Sequence, residues 1–312
     1  RSFKYFYFFK KYTNHIDILF TRASTPLLPI ISFSSSVPVA LYLVSNATEG
    51  LDKLPQPAFR LKLIKIWAKW YQKKEYEIAS KTLTLVNSEK LIKRLKNSIS
   101  NLHLVKTTTL STNDFYKRED TCNKKFINLL YTGRVTKYKG LLDILEGIAL
   151  LKHEEFVIHF NLVGFIKSND NILEQMIDKC KQLNLKNTFT FHGYKSVGKE
   201  LLDFYRKADI FVSASQNYSE GFPRTLWEAM ASSLPIVTTS VSSVPYFIKN
   251  AGYLVEPNNP KQIANGIKKI IKNKTFRRNI IKNGYKIAKK NTLEKRANEI
   301  SNIIYSFYKT IQ

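Results

Sequence analysis

Hydrophobic and polar positions follow two repeating patterns along the second half of the chain. Short, nearly continuous apolar runs predict buried strands at residues 127–131, 156–163, 188–192, 209–214, 236–239 and 253–255. The stretches between them place apolar residues every three or four positions, which predicts helices at 141–152, 172–183, 199–207, 225–232 and 260–272. Strands that alternate with helices are typical of a parallel sheet covered on both faces. This half is therefore predicted to be α/β, with two more helices at 276–290 and 293–310.

The first half carries fewer recognisable segments. Apolar runs at 16–21, 39–44 and 82–86 predict three strands, and residues 89–96 predict a short helix. A longer helix is predicted over 59–80, where lysine and arginine interleave with leucine, isoleucine, tyrosine and two tryptophans. The charged stretch 117–124 precedes the first strand of the second half, and we place a domain boundary there.

Length and composition indicate an ordinary globular protein. The 312 residues suffice for two domains, and a hydrophobic fraction of 44% excludes a disordered chain. The two cysteines, Cys122 and Cys180, are far apart, which predicts neither a disulfide framework nor a zinc knuckle. A reducing compartment fits best, so we expect a cytoplasmic protein. No run of about 18 uncharged apolar residues occurs, so no membrane-spanning helix is predicted.

A formal net charge of +26 raises the question of anionic partners. Lysine is abundant throughout, no dense basic block occurs, and no nucleic-acid-binding motif is found, so nucleic acid is not an expected partner. Helix 59–80 leaves two interpretations open. Its basic and aromatic face fits peripheral contact with an anionic membrane, on the cytoplasmic face, but an ordinary surface helix with solvated lysines would have the same composition.

The most informative segment, 219–231, follows an apolar strand and forms a turn that leads into a helix. Gly221 frees the backbone, Pro223 presets φ for a first helical turn, and Glu228 falls one to two turns into the helix. Backbone N–H groups and the helix dipole attract anionic ligands at this edge of a parallel sheet. Glu220 and Glu228 could flank such a ligand and accept hydrogen bonds from its hydroxyls. Glutamates near a helix start are also common without any ligand, because they favour the dipole.

Cations follow the first predicted strand of the same half. Gly133 and Arg134 come just after strand 127–131, and Lys139 precedes the next helix. Arginine binds phosphate oxygens bidentately and lysine acts as a point charge, so the pair suits a diphosphate. Such a pair also arises by chance in a chain this basic. Because it maps to the same sheet edge as the glutamates, we interpret both groups as one site.

These segments resemble the retaining family 4 glycosyltransferases. The run SEGFPRTLWEAMA resembles their Glu-x7-Glu signature, and YTGRVTKYKGLLDILEGIALL resembles their diphosphate-binding segment. FNLVGF and FTFHGY resemble strands that end beside the nucleotide, and the likeness covers roughly residues 80–305. The resemblance implies Glu220, Arg134 and Lys139 as catalytic residues. It also implies the following donor contacts: Arg134 and Lys139 at the diphosphate, Gly133, Gly164 and Gly193 beside the nucleotide, Glu220 and the backbone N–H groups of Gly221 and Phe222 by the sugar or phosphate, and Glu228 at the ribose hydroxyls.

The same resemblance implies the GT-B fold, in which two Rossmann-like domains face each other across a cleft. We expect an incomplete first domain over 1–120, a donor-binding domain over 121–290, and a last helix within 291–312 that crosses back to the first domain. The implied activity moves a hexosyl group, with retention, from a nucleotide sugar to a saccharide or lipid-linked acceptor in polysaccharide, lipopolysaccharide or glycolipid synthesis. No Asp-x-Asp stands at a strand end of the second half, so no metal or other cofactor is expected. A non-catalytic sugar-nucleotide-binding remnant and a basic nucleic-acid-binding protein are the alternatives.

Three features depart from the family pattern. The chain is expected to begin inside the first domain, without the family's glycine-rich start, so the acceptor half is expected to be reduced. A Ser-Asn pair at 45–46 stands where relatives often carry a histidine. Ser242 and Ser243 replace the usual glycine pair, and Tyr246 replaces the glutamate that follows it. Beside these, His192 in the run FHGY could border the site or be a structural histidine.

Overall fold

The structure is a computed structural model with side chains. It describes residues 7, 10–12, 15–23, 25, 28, 37–44, 48, 51, 56–106, 108–167, 170–185, 187–216 and 222–312. The chain divides into two compact units: the first comprises Arg1–Thr107 and Arg296–Gln312, and the second comprises Thr108–Lys295. Among the described helices, none is long and apolar enough to cross a membrane.

A four-stranded parallel sheet forms the centre of the first unit. Its strands are, in spatial order, β1 (Leu19–Ala23), β2 (Val39–Leu43), β3 (Leu83–Val86) and β4 (Leu102–Leu104). Helix α1 (Ala58–Ser80) precedes β3, and α2 (Glu89–Leu95) follows it. Every residue of β3 is buried, as expected for a central strand with apolar layers on both of its faces.

A six-stranded parallel sheet forms the centre of the second unit. Its strands in chain order are β5 (Phe126–Thr132), β6 (Val157–Val163), β7 (Phe189–Phe191), β8 (Ile210–Ser213), β9 (Ile236–Thr239) and β10 (Tyr253–Val255). In space they run β10-β9-β8-β5-β6-β7, and every pair is parallel. Chain order therefore reverses between β5 and β8, which is the switch point of a Rossmann-type sheet.

Helices connect the strands of the second unit and cover both faces of its sheet. They are α3 (Leu141–Ala149), α4 (Ile172–Gln182), α5 (Lys199–Lys207), α6 (Arg224–Ala231), α7 (Val244–Ile248), α8 (Pro260–Lys272) and α9 (Lys274–Lys289). Successive strand residues point to opposite faces, so Leu129 of β5 belongs to one buried apolar cluster and Leu130 to the other. Burial on both faces explains why these strands appear in the sequence as continuous apolar runs.

The last helix, α10 (Leu293–Thr310), packs against the sheet of the first unit. Its side chains Ile300, Ile303, Ile304 and Phe307 contact a buried cluster formed by Ala40, Leu83, Leu85 and Val105. The other face of the same sheet packs against α2. The sheet of the first unit is thus covered on both sides.

The division between the units falls after Thr107, earlier in the chain than the boundary expected at residue 120. Leu110 is buried in a core cluster of the second unit, and the backbone N–H of Tyr116 donates to the carbonyl of Ala231 at 3.0 Å. Asp120 is also anchored there, through ion pairs with two arginines of α9. Residues 108–120 therefore belong to the second unit, although the charged stretch 117–124 led us to expect the boundary at residue 120.

The predicted α/β class is confirmed, because both units are built on parallel sheets with helices between the strands. Strand β1 differs in its bounds, since its pairing begins at Leu19 opposite Val39 and not at residue 16. Two short elements, β4 and α7, were not predicted. Strand β4 has three incompletely buried residues, and α7 spans five residues beginning Val-Pro, so neither shows a clear period. The Ser-Asn pair at 45–46 lies outside the described residues.

Candidate functional site

The switch point of the second sheet brings together the segments that follow β5 and β8. Loops at such a point leave in opposite directions and open a crevice at the carboxyl edge of the sheet. Gly133, Arg134 and Lys139 follow β5. In sequence, the segment after β8 runs to Phe222, just before α6, and its residues 217–221, with Glu220 and Gly221 among them, lie outside the described residues.

The three predicted glycines line neighbouring strand ends. The N–H of Gly133 donates to the carbonyl of Val163 at 3.0 Å, and the N–H of Gly164 donates to the carbonyl of Gly193 at 2.9 Å. A Cβ atom on Gly164 would lie 1.7 Å from the carbonyl oxygen of Gly133, so no other residue fits there without a backbone shift. Gly133 and Gly193 have φ values of 138° and 69°, which favour glycine. The ends of β5, β6 and β7 are therefore interlocked through backbone contacts.

A fourth glycine clamps the loop after β5 to the end of β8. Gly140 has a φ of 63°, and a Cβ atom there would lie 2.1 Å from the carbonyl oxygen of Ala214. Beside it, the N–H of Gln216 donates to the carbonyl of Tyr138 at 2.9 Å, and its side-chain amide donates to Asp143 at 3.0 Å. These contacts fix both sides of the switch point against each other.

The two predicted cations lie in this clamped loop. The carbonyl of Arg134 accepts a 2.7 Å hydrogen bond from the buried Tyr131 hydroxyl, and the N–H of Lys139 donates to the carbonyl of Thr136 at 3.0 Å. The guanidinium-bearing side chain of Arg134 is exposed, and Lys139 is half-buried at the start of α3. Their backbones are thus held firmly at the same sheet edge as the glycines.

Glu228 lies about one turn into α6, and its carboxylate faces inward. Its Oε2 accepts a 2.6 Å hydrogen bond from the hydroxyl of Tyr205 on α5, which is fully buried. The same hydroxyl is hydrogen-bonded to the Oγ1 of Thr132, the last residue of β5. Burial raises the pKa of Glu228 above its ordinary value, while the hydrogen bond from Tyr205 and the charge of Arg224 counteract that rise. Asp114 adds to the rise, as a nearby negative charge.

Phe222 enters the apolar layer of α6 with its side chain. Its ring lies 4.4 Å from that of Trp227 and 4.9 Å from that of Phe247, measured between centroids. A contact of Phe222 with a ligand would therefore involve its backbone, as the sequence comparison implied. Within the described part of the chain, no group of three or more His, Cys, Asp or Glu side chains is arranged to hold a metal ion.

Comparison with known proteins fits this architecture. The sequence model of the family described as "Glycosyl transferases group 1" matches residues 112–287, which is more than half of the chain and nearly all of the second unit. The chain belongs to this family.

Two curated proteins of known sequence are similar to part of this group 1 chain. An uncharacterized glycosyltransferase of Methanocaldococcus jannaschii, MJ1607, is 30% identical over 169 residues, which cover 54% of this chain and 40% of the relative. The capsular polysaccharide biosynthesis glycosyltransferase CapM of Staphylococcus aureus is 27% identical over 158 residues, covering 50% of this chain and 40% of the relative. The matched region thus spans well under two thirds of the length of either relative.

Solved structures share the fold of this group 1 protein over almost its whole length. HepE of Anabaena, crystallised in complex with UDP, has a TM-score of 0.73 at 15% identity, and the match covers 96% of this chain and 82% of that chain. At this identity the likeness concerns the fold, which is that of a glycosyltransferase with two Rossmann-like domains.

His192 has the environment of a structural histidine. Its Nε2 is hydrogen-bonded to Oδ1 of Asn161 at 2.9 Å, and its ring packs edge-on against Phe204 at 4.8 Å. Burial lowers the pKa of His192, with smaller contributions in the same direction from His159 and Lys195. Both its ring contacts and its hydrogen bond are internal to the fold.

Three residues of the group 1 site were not singled out from the sequence in these roles. Gly140 was given no role, although its neighbour Lys139 was a candidate. Thr132 and Tyr205 were not considered, because 73 positions separate them and only the fold brings them together. A tyrosine on the buried side of a short helix is read from the sequence as a core residue and carries no signal of this kind.

Proposed function

We propose that this protein is a retaining glycosyltransferase that moves a hexosyl group from a nucleoside-diphosphate sugar to a hydroxyl acceptor. One observation carries the proposal: the clamped loop bearing Arg134 and Lys139 lies at the switch point of the sheet, next to the interlocked glycine ends of β5, β6 and β7. Nucleotides bind at such points in doubly wound sheets. Membership of the group 1 family supports the reaction class.

Each predicted site residue has a role that its chemistry suits. Arg134 binds the diphosphate bidentately and Lys139 adds a point charge, so together they stabilise the negative charge that develops on the leaving group. Glu228 accepts hydrogen bonds from the ribose hydroxyls. Glu220 positions the donor sugar, and the backbone N–H groups of Gly221 and Phe222 contact its hydroxyls or the phosphate.

Transfer with retention follows from attack on the face that the diphosphate leaves. The bond between the anomeric carbon and the diphosphate oxygen breaks while the bond to the acceptor oxygen forms, and the acceptor proton passes to the departing phosphate oxygen. Arg134 and Lys139 supply the countercharge, so we propose that no metal is required. Nucleotide affinity and turnover should be equal with and without a chelator, and a loss that magnesium restores would contradict this.

The acceptor is proposed to be a saccharide or a lipid-linked saccharide in polysaccharide, lipopolysaccharide or glycolipid synthesis. The name of CapM places that relative in capsular polysaccharide biosynthesis, and the HepE crystals contain UDP. The first supports an envelope-related product, and the second supports a nucleotide-sugar donor. The retained anomeric configuration can be read directly from the product by NMR, where an inverted linkage would contradict the proposed course.

A donor screen tests the site assignment. Thermal shift and donor hydrolysis are measured with UDP, GDP and ADP and their sugar derivatives, for the wild type, Arg134→Ala and Glu220→Ala. We expect Arg134→Ala to weaken diphosphate binding about tenfold or more, since hydrogen bonds to charged groups contribute about 1.5–3 kcal/mol. Lys152→Ala removes an exposed charge beyond α3, towards the opposite edge of the sheet, and is the matched control.

The outcomes separate the alternatives. If no nucleotide or nucleotide sugar stabilises the wild type, the site assignment is wrong. If nucleoside diphosphates bind but no donor is turned over with any acceptor, the protein is a non-catalytic sugar-nucleotide-binding relative. In that case Glu220→Ala should leave nucleotide affinity almost unchanged, and there is no turnover for it to lower. In an active enzyme, Glu220→Ala should lower turnover more than it lowers nucleotide affinity.

We also propose that the first unit contacts an anionic membrane surface through α1. Its large apolar side chains recur at helical spacing and are between 51% and 76% exposed: Phe59, Leu63, Ile66, Trp67 and Trp70. The buried side chains of the same helix, Ala68, Tyr71, Glu75 and Ala79, lie on the opposite face. Lysines and one arginine flank the exposed stripe, and no acidic residue occurs between residues 58 and 74. Such a helix suits the headgroup region of an anionic bilayer.

Vesicle co-sedimentation tests this surface. Binding to vesicles that contain anionic lipid should exceed binding to neutral vesicles and should weaken with salt, because each basic residue near the surface contributes about 1 kcal/mol. The double variant Lys62→Glu/Lys69→Glu should reduce binding at least about tenfold. Lys282→Glu/Lys286→Glu makes the same charge change on exposed positions of α9 and should have a much smaller effect. Equal binding by both double variants would rule out α1 as the contact surface.

A further inference from the structure

A chain of three polar side chains connects the end of β5 to helix α6. Thr132 is the last residue of β5, directly before Gly133, and only 4% of it is exposed. Its hydroxyl contacts the hydroxyl of Tyr205, which in turn contacts Oε2 of Glu228 at 2.6 Å. The chain therefore joins the loop that carries the proposed diphosphate ligands to the carboxylate proposed to bind the ribose.

The direction of these hydrogen bonds is fixed by the number of protons. The Tyr205 hydroxyl has one proton, and an ionised Glu228 can only accept, so Tyr205 donates to Glu228 and accepts from Thr132. Burial, together with the neighbouring carboxylate, raises the pKa of Tyr205 well above its ordinary value, so the phenol stays protonated and remains a donor. No described residue donates to the other carboxylate oxygen, Oε1.

The donor is held rigidly. The Tyr205 ring is fully buried and stacks on Phe211 of β8, with 5.7 Å between centroids and an interplanar angle of 20°. A phenol fixed in the core orients a carboxylate better than a flexible side chain or water would, because little rotamer freedom is lost when the hydrogen bond forms. The Oε2 atom of Glu228 is thereby occupied by a hydrogen bond within the protein.

We propose that Tyr205 is a positioning residue that fixes the Glu228 carboxylate for the ribose hydroxyls of the bound nucleotide. The inference rests on the proposed function and deepens it. Tyr205 holds Oε2, which leaves Oε1 to accept from the ribose, and Thr132 ties this arrangement to the strand end that precedes Gly133 and Arg134. The ribose and diphosphate subsites are thus built as one unit.

The charges around Glu228 predict how nucleotide affinity depends on pH. Burial raises the pKa of Glu228, the hydrogen bond from Tyr205 lowers it, Arg224 on the same helix lowers it, and Asp114 raises it. The ribose hydroxyls favour the ionised carboxylate, so nucleotide affinity is complete above the pKa of Glu228 and falls as pH decreases through it. Removing the Tyr205 hydroxyl removes one of the effects that lower this pKa. The fall in affinity should therefore occur at higher pH in Tyr205→Phe.

A double-mutant cycle tests whether Tyr205 acts through Glu228. The affinity for UDP, GDP and ADP is measured by calorimetry between about pH 5 and 8 for the wild type, Tyr205→Phe, Glu228→Gln and the double variant. We expect Tyr205→Phe to weaken binding about three- to tenfold near neutral pH and to shift its pH dependence upward. Glu228→Gln should bind weakly and keep only the pH dependence that the terminal phosphate of the nucleotide imposes, and adding Tyr205→Phe should cause no further loss.

Two controls separate positioning from folding. Thr132→Val removes the outer hydrogen bond but keeps the contact between Tyr205 and Glu228, so its effect on affinity should be smaller. Thermal unfolding of each variant shows whether the native state persists at the assay temperature. An equal loss from Tyr205→Phe in the wild-type and Glu228→Gln backgrounds, or an unshifted pH profile, would overturn the inference. If the wild type binds none of the three nucleotides, the proposed function itself fails, and this inference fails with it.

Discussion

Either the space around the backbone or the backbone conformation limits which residue can stand at certain positions near the sheet edge. Gly164 lies against the backbone of the neighbouring loop, whereas a Cβ on Gly193 would meet nothing within 4 Å. Ser242 adopts a φ of 52° at a position where the family pattern has glycine. These positions therefore differ in kind: one is limited by space, and the other two by backbone conformation.

The lack of space around Gly164 predicts that Gly164→Ala strongly lowers the stability of the protein. The obstacle is a backbone carbonyl that cannot rotate away, so we expect a loss of about 3 kcal/mol or more in the free energy of unfolding. Gly193→Ala pays only for the left-handed backbone conformation, about 1–2 kcal/mol. Chemical denaturation of both variants measures the difference, and equal losses would show that the strand ends separate easily.

The backbone conformation at Ser242 predicts a stabilising substitution. Ser242→Gly relieves the cost of a left-handed serine, and after the added entropy of the unfolded chain we expect a net gain of about 0.5–1 kcal/mol. Ser243→Gly is the control, since the φ of Ser243 is −87° and glycine there only adds entropy to the unfolded state. A denaturant midpoint that does not rise for Ser242→Gly would contradict the expectation.

Secondary-structure elements of the second unit were predicted well because their signals are local. The strands are buried on both faces and therefore appear as apolar runs, and α5, α8 and β9 begin and end where the pattern predicts. Segments without a period were missed or misassigned. Strand β4 is held by pairing with β3, and residues 108–120 are held by contacts with distant parts of the second unit. Such contacts have no counterpart in a local pattern.

The attachment of residue 120 to α9 predicts a large stability effect. Asp120 accepts a 2.6 Å hydrogen bond from Nε of Arg277, which is buried and also donates to the carbonyls of Ile270 and Ile271. Asp120→Asn leaves the Arg277 charge without its carboxylate, and we expect a loss of about 3 kcal/mol at neutral pH. Arg278→Gln removes an exposed partner of Asp120 and should cost less than about 1 kcal/mol.

The same ion pair gives a pH dependence of known sign. Burial alone would raise the pKa of Asp120, but the hydrogen bonds from Arg277, the backbone of Thr121 and Arg278 lower it below its ordinary value. A depressed carboxyl pKa contributes stability that is complete above the unfolded value, about 3.9, and is lost as pH falls through the folded one. The stability difference between wild type and Asp120→Asn should therefore shrink in acid below about pH 4. A difference that stays constant down to pH 2 would contradict this.

At the scale of the whole molecule, the candidate site depended on a resemblance more than on periodicity. The glycines, Arg134, Lys139 and Glu228 were identifiable because they lie in short motifs that follow predicted strands. Tyr205 and Thr132 were not, because their role exists only once α5 and the end of β5 are packed together. Local sequence carries the ligand-facing groups, and the fold supplies the residues behind them.

Helix α10 predicts how stability is distributed over the molecule. Ile303 and Phe307 pack against the sheet of the first unit, so Ile303→Ala and Phe307→Ala should each cost about 1–3 kcal/mol there. Hydrogen exchange should show faster exchange in β2 and β3 and little change in β5 and β8. Tyr305→Ala, on the exposed side of the same helix, is the control and should leave all four strands as they are. Equal effects of Tyr305→Ala and Phe307→Ala would contradict the packing.

The interlocked glycines have a practical consequence for altering sugar preference by directed evolution. Gly164 fits against Gly133, and Gly140 fits against Ala214, at distances where even one added carbon collides with backbone. A library that randomises the whole loop after β5 would therefore consist mostly of unfolded variants. Diversity confined to the exposed positions Lys137 and Tyr138, with these four residues and the proposed diphosphate ligands Arg134 and Lys139 held constant, would sample new specificities within a folded population.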